Sequence, residues 1–340
     1  MRKLDFETVK NITLGAARVE SLGELIGFYR FTKREEELYR ATRNDSYVKT
    51  FATSGVKLSF RTDSSQMLLK VVTGVATSRK YFSADVFVNG KLAGYLDNFG
   101  DRELLGNYVA TDLPLGEFSK SFSLGEGEKT VTVHLPWSAK TAISELSVDD
   151  GAFIEAAKPP KRMLVYGDSI TQGYDARRPS GRYASRLADA LSAEEINKAI
   201  GGEYFMPALA ECAEDLDPDY VTVAYGTNDW GKYSKSDFID NCRGFYKTLS
   251  AKYPRAKIFA ITPIWRKELE EKRAFGSFFD VDPTIRECVG DIDGVTVIGG
   301  FDLVPKEEKY FGDLRLHPND EGFALYFEGL YSKIREILGV

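Results

Sequence analysis

Hydrophobic and polar positions follow two different rhythms along this chain. Up to about residue 155 the pattern is short, alternating and broken by turns. Segments 57–62, 67–72 and 83–88 read as strands with apolar residues recurring at every second position. Asn89-Gly90 then predicts a tight two-residue hairpin that returns along 91–96. Segments 119–124 and 130–135 are expected to pair with each other across Gly125-Glu-Gly-Glu128. Short alternating strands of this kind predict an antiparallel β-sandwich, jelly-roll-like, over residues 1–155.

Behind the stiff polar connector Ala156-Ala-Lys-Pro-Pro-Lys161 the rhythm changes. Apolar runs at 162–166, 196–200, 219–224, 257–261 and 294–298 alternate with helical stretches near 182–191, 235–252 and 319–338. Strand–helix alternation at this spacing predicts a three-layer α/β domain over residues 156–340, its parallel sheet covered by helices on both faces. The ligand site of such a domain lies beyond the carboxyl ends of the strands. Polar and glycine positions cluster there. Ser169 follows the first strand, Gly201-Gly202 the second and Gly226-Thr-Asn228-Asp229 the third, while His317 precedes the last helix.

Composition narrows the partners. The 340 residues suffice for two cores, and 43% hydrophobic with 13% aromatic residues argues for packed domains. A formal charge of -6 leaves no basic surplus for phosphates, so neither nucleic acid nor an anionic membrane surface is an expected partner. The chain has no run of 18 apolar residues. Its start, Met1-Arg-Lys-Leu-Asp-Phe-Glu, has no apolar leader core, so a cytoplasmic location is expected. Cys212, Cys242 and Cys288 fall in predicted helices and read as packing residues. With two histidines and no close Cys/His spacing, a metal site rich in those residues is excluded, while a carboxylate site is not.

A serine hydroxyl needs a neighbouring base to become a nucleophile. Alternation in Thr130-Val-Thr-Val-His134 places His134 on the solvent side of the sandwich, which leaves His317 as the candidate base for Ser169. The attacked carbonyl also needs donors for its developing charge, and the Ser169 and Gly202 N–H groups and the Asn228 amide qualify.

Gly167-Asp-Ser-Ile-Thr-Gln-Gly173, Asn197-Lys-Ala-Ile-Gly-Gly202, Gly226-Thr-Asn-Asp229 and His317-Pro-Asn-Asp-Glu-Gly322 resemble, in order and spacing, the four blocks of the SGNH, or GDSL, hydrolase superfamily. The resemblance covers about residues 160–338. It implies a flavodoxin-like domain, Ser169 as nucleophile, Ser169, Gly202 and Asn228 as the oxyanion hole, His317 as general base, and no cofactor or metal. The family pattern puts an aspartate three residues before the histidine, and Leu314 stands there. Either Asp313 reaches His317 through a local backbone shift, or a backbone carbonyl holds the imidazole and a Ser–His dyad operates.

A β-sandwich ahead of such a domain is similar to carbohydrate esterase family 2 and related acetylesterases. This implies removal of O-acetyl groups from xylan- or mannan-derived oligosaccharides. Trp230 and Trp265, near the predicted strand ends, are candidate sugar contacts, with core packing as the alternative. Asp168 is placed with them as a substrate contact. A lipase or thioesterase of the same superfamily, and a carbohydrate-binding protein with a decayed enzyme half, are the other readings. The sandwich could also mediate homo-oligomer contacts.

Overall fold

Two antiparallel sheets meet face to face through the alternating apolar residues of the N-terminal half. The computed structural model describes residues 1–102, 104 and 113–340. One sheet runs, in spatial order, Arg18–Leu22, Leu25–Tyr29, Ala139–Val148, Gln66–Val75 and Glu117–Ser123, with Arg2–Lys3 beside Ala139–Val148. The other runs Glu155–Ala156, Lys57–Thr62, Lys129–His134, Ser83–Val88 and Lys91–Asp97, with Thr13–Leu14 beside Lys57–Thr62. Leu58, Phe60, Val86, Val131 and Val133 of the second sheet pack on Met67, Leu69, Val71, Ile143 and Leu146 of the first.

The Asn89-Gly90 hairpin forms as expected, with both residues at positive φ, 48° and 75°. The pairing expected between 119–124 and 130–135 does not form. Glu117–Ser123 pairs with Gln66–Val75, whereas Lys129–His134 lies in the opposite sheet between Lys57–Thr62 and Ser83–Val88. The Gly125–Glu128 connection therefore crosses between the layers. Alternation identifies a strand's buried face but not its sheet, because both sheets offer the same apolar interior.

Three short helices interrupt the strand-only expectation for this half: Phe6–Asn11, Lys33–Thr42 and Asn44–Lys49. Lys33–Thr42 starts with a capping box, in which Thr32 accepts from the Glu35 N–H and Glu35 accepts from the Thr32 N–H. That signature is present in the sequence.

In the C-terminal half the strand order is Ala193–Asn197, Lys161–Gly167, Tyr220–Ala224, Lys257–Ile261 and Val295–Ile298, all parallel. This is the 2-1-3-4-5 order of the flavodoxin-like fold. Aromatic and aliphatic side chains fill both faces, including Phe205, Phe238, Phe245 and Tyr246 on one and Leu187, Phe323, Leu330 and Ile334 on the other. Cys212, Cys242 and Cys288 lie in helices, Cys242 and Cys288 fully buried. Among the described residues no helix is long and apolar enough to cross a membrane.

The sheet order brings the ends of Lys161–Gly167, Ala193–Asn197 and Tyr220–Ala224 side by side, which is where the site lies. His134 does not face solvent as expected. Its face is covered by the helix Tyr183–Ala190, where the Ser185 hydroxyl lies 3.3 Å from His134 Nδ1. Burial, with Lys57 and Arg182 nearby, pushes its pKa well below the usual imidazole value.

Candidate active site

Ser169 opens a helix of one turn, Ser169–Gln172, directly after the first strand of the parallel sheet. Asp168 caps that turn, its carboxylate accepting from the Ile170 N–H at 2.9 Å. Gly167 is required by space, since a Cβ there would stand 2.1 Å from the Thr171 hydroxyl. The turn closes at Gly173, where φ is 117°. Ser169 is thus pinned at both ends of a tight strand-to-helix turn.

The Ser169 hydroxyl lies 2.8 Å from His317 Nε2, and His317 Nδ1 lies 2.7 Å from Asp313 Oδ2. A carboxylate accepts only, so Nδ1 carries the ring proton and Nε2 is free to accept from serine. Asp313 does reach His317, which settles the register question raised by Leu314. Leu314 adopts a left-handed conformation, φ 55°, and points out to solvent, 54% exposed. This tight turn brings residue i back to i+4. The other carboxylate oxygen of Asp313 accepts three backbone N–H groups, from Arg315, Leu316 and His317, at 3.0, 2.7 and 3.0 Å. Burial opposes ionisation of Asp313, but the His317 hydrogen bond and charge and these backbone donors outweigh it and hold its pKa far below the carboxylate range.

Gly202 and Asn228 arrive from the next two strand ends. Asn228 donates its side-chain amide to the Glu203 carbonyl at 2.8 Å, which ties the two loops together. Gly202 is exposed and sits at φ 85°, a conformation that favours glycine. Among the described residues the Ser169 and Gly202 N–H groups donate to no protein acceptor.

Three expected substrate contacts are corrected. Trp230 is completely buried, packed edge-on against Phe278, donating to the Gly276 carbonyl and covered by Arg266 and Arg273. Trp265 packs on Phe311 in the core at the rear of the His317 loop. Asp168 is buried beneath the serine turn, and burial raises its pKa to about 6 against the pull of the Ile170 N–H and His317. Strand-end position does not distinguish a ring facing the cleft from one turned into the core.

Several residues beside the site escaped the sequence reading. Tyr174 stacks on the His317 ring, 5.5 Å between centroids, and Trp137 of the sandwich packs behind it. Asp175 is buried with Oδ2 3.9 Å from His317 Nδ1, and it pairs with Arg79 of the sandwich at 2.8 Å. Among the described residues Asp175, Asp313 and His317 form the one cluster with a metal-like donor set, their ligand atoms within 4.8 Å. His317 Nδ1 is engaged by Asp313 and Asp175 Oδ1 by Arg79, while the buried Asp175 Oδ2 has no hydrogen-bond partner among the described residues. Nothing in local sequence marks Arg79, because it meets the site only through the packing of the two halves.

A three-layer α/β fold carrying a serine, an imidazole and a carboxylate in hydrogen-bonded series at its sheet edge has the make-up of a serine hydrolase. Residues 165–325 match the sequence profile of the GDSL-like lipase/acylhydrolase family. Residues 165–325 thus form a GDSL-like lipase/acylhydrolase domain. No curated protein sequence matches it. Among solved structures it is similar to a salicylyl-acyltransferase, SsfX3, from a tetracycline biosynthetic pathway, with TM-score 0.79 and 20% identity over 96% of this chain and 94% of the other. It is also similar to a putative GDSL-like lipase from Bacteroides ovatus, TM-score 0.77 and 21% identity over 99% and 98%. A carbohydrate esterase family 2 enzyme from Corynascus thermopiles aligns with TM-score 0.63 and 19% identity over 85% and 95%. These likenesses extend across both halves of the fold.

Proposed function

We propose that this protein is a serine esterase that removes O-acetyl groups from xylan- or mannan-type oligosaccharides through an acetyl-Ser169 intermediate. The observation that carries the reaction type is the unbroken Ser169–His317–Asp313 hydrogen-bond series. In this reading His317 takes the serine proton as the hydroxyl attacks the ester carbonyl. The Ser169 and Gly202 N–H groups and the second amide hydrogen of Asn228 receive the oxyanion. His317 then protonates the leaving sugar alcohol, and water activated by the same imidazole releases acetate.

Support for a small acyl group on a sugar comes from two sides. Structural neighbours include family 2 carbohydrate esterases and an acetyl xylan esterase from Butyrivibrio proteoclasticus. The segment after the serine turn is polar and anchored, not an apolar lid. Asp175 pairs with Arg79, the Arg177 N–H donates to Asp320, and Arg178 pairs with Asp97. The likeness to an acyltransferase favours a second reading, in which an acceptor alcohol and not water discharges the acyl-serine.

Acetyl, butyryl and octanoyl esters of one alcohol, together with acetylated xylo- and manno-oligosaccharides, test the proposal. Acetate release fastest from the oligosaccharides, and absent in Ser169→Ala, is expected. Preference for octanoyl esters would overturn the acetyl assignment, and transfer to added alcohols in preference to water would select the second reading.

A further inference from the structure

The loop that carries Gly202 is held from outside by the N-terminal half. Three successive carbonyls on this loop accept from side chains. Lys49 Nζ donates to Gly201 O at 2.9 Å, Arg43 to Gly202 O at 3.2 Å, and Asn228 to Glu203 O at 2.8 Å. Lys49 and Arg43 belong to the helical pair 33–49, and Arg43 is further anchored to the buried Glu203 at 2.8 Å. Behind them the buried Arg30 donates to the carbonyls of Asn197 and Ala199 at the base of the same loop.

The first of these contacts bears on the chemistry. The Gly201 carbonyl and the Gly202 N–H belong to one peptide unit, which is planar and trans, so its N–H points away from the carbonyl that Lys49 holds. Hydrogen bonds fix the turn on either side, from the Gly201 N–H to Gln172 Oε1 at 2.7 Å and from the Glu203 N–H to the Ile200 carbonyl at 3.0 Å. They do not hold the central peptide, and its flanking glycines populate both signs of φ with similar ease. An ammonium on the carbonyl opposes rotation of this unit and withdraws electron density from it, which makes the N–H a stronger donor.

We propose that Lys49 is a positioning residue for the oxyanion hole, locking and polarising the peptide that presents the Gly202 N–H to the substrate. The proposal rests on the reading of Gly202 as an oxyanion donor. It gives the N-terminal half a part in turnover without contact between Lys49 and the reacting atoms.

Lys49→Met tests this, because the side chain is only partly buried and its loss leaves little of the core disturbed. Lys49→Gln is measured in parallel, so that the comparison survives if one variant folds poorly. Removal of a whole oxyanion donor costs about a hundredfold or more, so loss of the residue that orients one is expected to lower kcat about tenfold. KM should stay within twofold of wild type. Affinity for methylboronic acid, whose serine adduct is tetrahedral, should fall by the same factor as kcat. A kcat within threefold of wild type, or a loss confined to KM, would overturn the proposal. Ser169→Ala separates the two possible failures. If it retains turnover, the reading of the site itself falls; if it is inactive while K49M matches wild type, only the role of Lys49 falls.

Discussion

Leu314 shows how one backbone angle decides a catalytic group. In an extended segment Asp313 and His317 would not meet in the family's usual way, since the aspartate stands one position early. With Leu314 at φ 55° the chain folds back, and one carboxylate oxygen meets Nδ1 while the other collects three N–H groups. A leucine in this region costs roughly 1–2 kcal/mol. Leu314→Gly is therefore expected to keep turnover near wild type and raise the thermal midpoint slightly. Asp313→Ala, by contrast, should lower kcat by roughly 10²–10⁴-fold with little change in KM, judged against the serine-protease template. Steady-state kinetics of the two variants beside wild type check both, and near-normal turnover in D313A would return the site to a Ser–His dyad. The candidates Ser169, Gly202 and Asn228 were legible because each follows a strand of the parallel sheet, and His317 because it stands just ahead of the last helix. Asp313 was legible only as one of two options, because a leucine's entry into the left-handed region leaves no mark in composition.

At the scale of elements, the loops beyond the first three strands are joined by buried polar contacts. Asp229 is completely buried and accepts from the Phe205 N–H at 2.8 Å and the Gly226 N–H at 2.9 Å. Burial raises its pKa to about 7, against the pull of those two donors. A carboxyl with a raised folded-state pKa binds more protons folded than unfolded between its two pKa values. Its contribution to stability is thus full below about pH 4 and is lost as the pH rises through about 7. Asp229→Ala strands two buried donors, each at a cost of about 1–3 kcal/mol. Urea unfolding should show the gap between wild type and D229A narrowing from pH 4.5 to 7.5, and a gap that widens over that range would contradict the assignment. Helices and parallel strands of this half were readable from the 3.6-residue and apolar-run patterns. The partner of Lys129–His134 was not, since two sheets of a sandwich present equivalent edges to any alternating segment.

Across the whole molecule the two halves share buried charge. Lys198 donates to Glu35 at 2.9 Å with both side chains fully buried, and it also meets Glu214. Arg30 crosses into the loop at Asn197, and Arg79 reaches Asp175 behind the imidazole. Removing one side of a buried pair costs about 3–5 kcal/mol. Residues 156–340 expressed alone are therefore expected to be poorly soluble or to melt far below the full chain, with turnover lost in either case. A soluble fragment with wild-type kcat would show that the sandwich does not support the site. The sequence by itself determined the two fold classes and the candidates Ser169 and His317 at the parallel sheet's carboxyl edge, because these follow from local periodicity and residue type, and from motifs that resemble a known family. Tertiary structure alone decided that Asp313 completes the hydrogen-bond series, that Trp230 and Trp265 belong to the core, and that Lys49, Arg43 and Arg79 of the other half contact the loops of the site. Those outcomes depend on side-chain direction and on contacts between residues far apart in the chain, which no local pattern encodes.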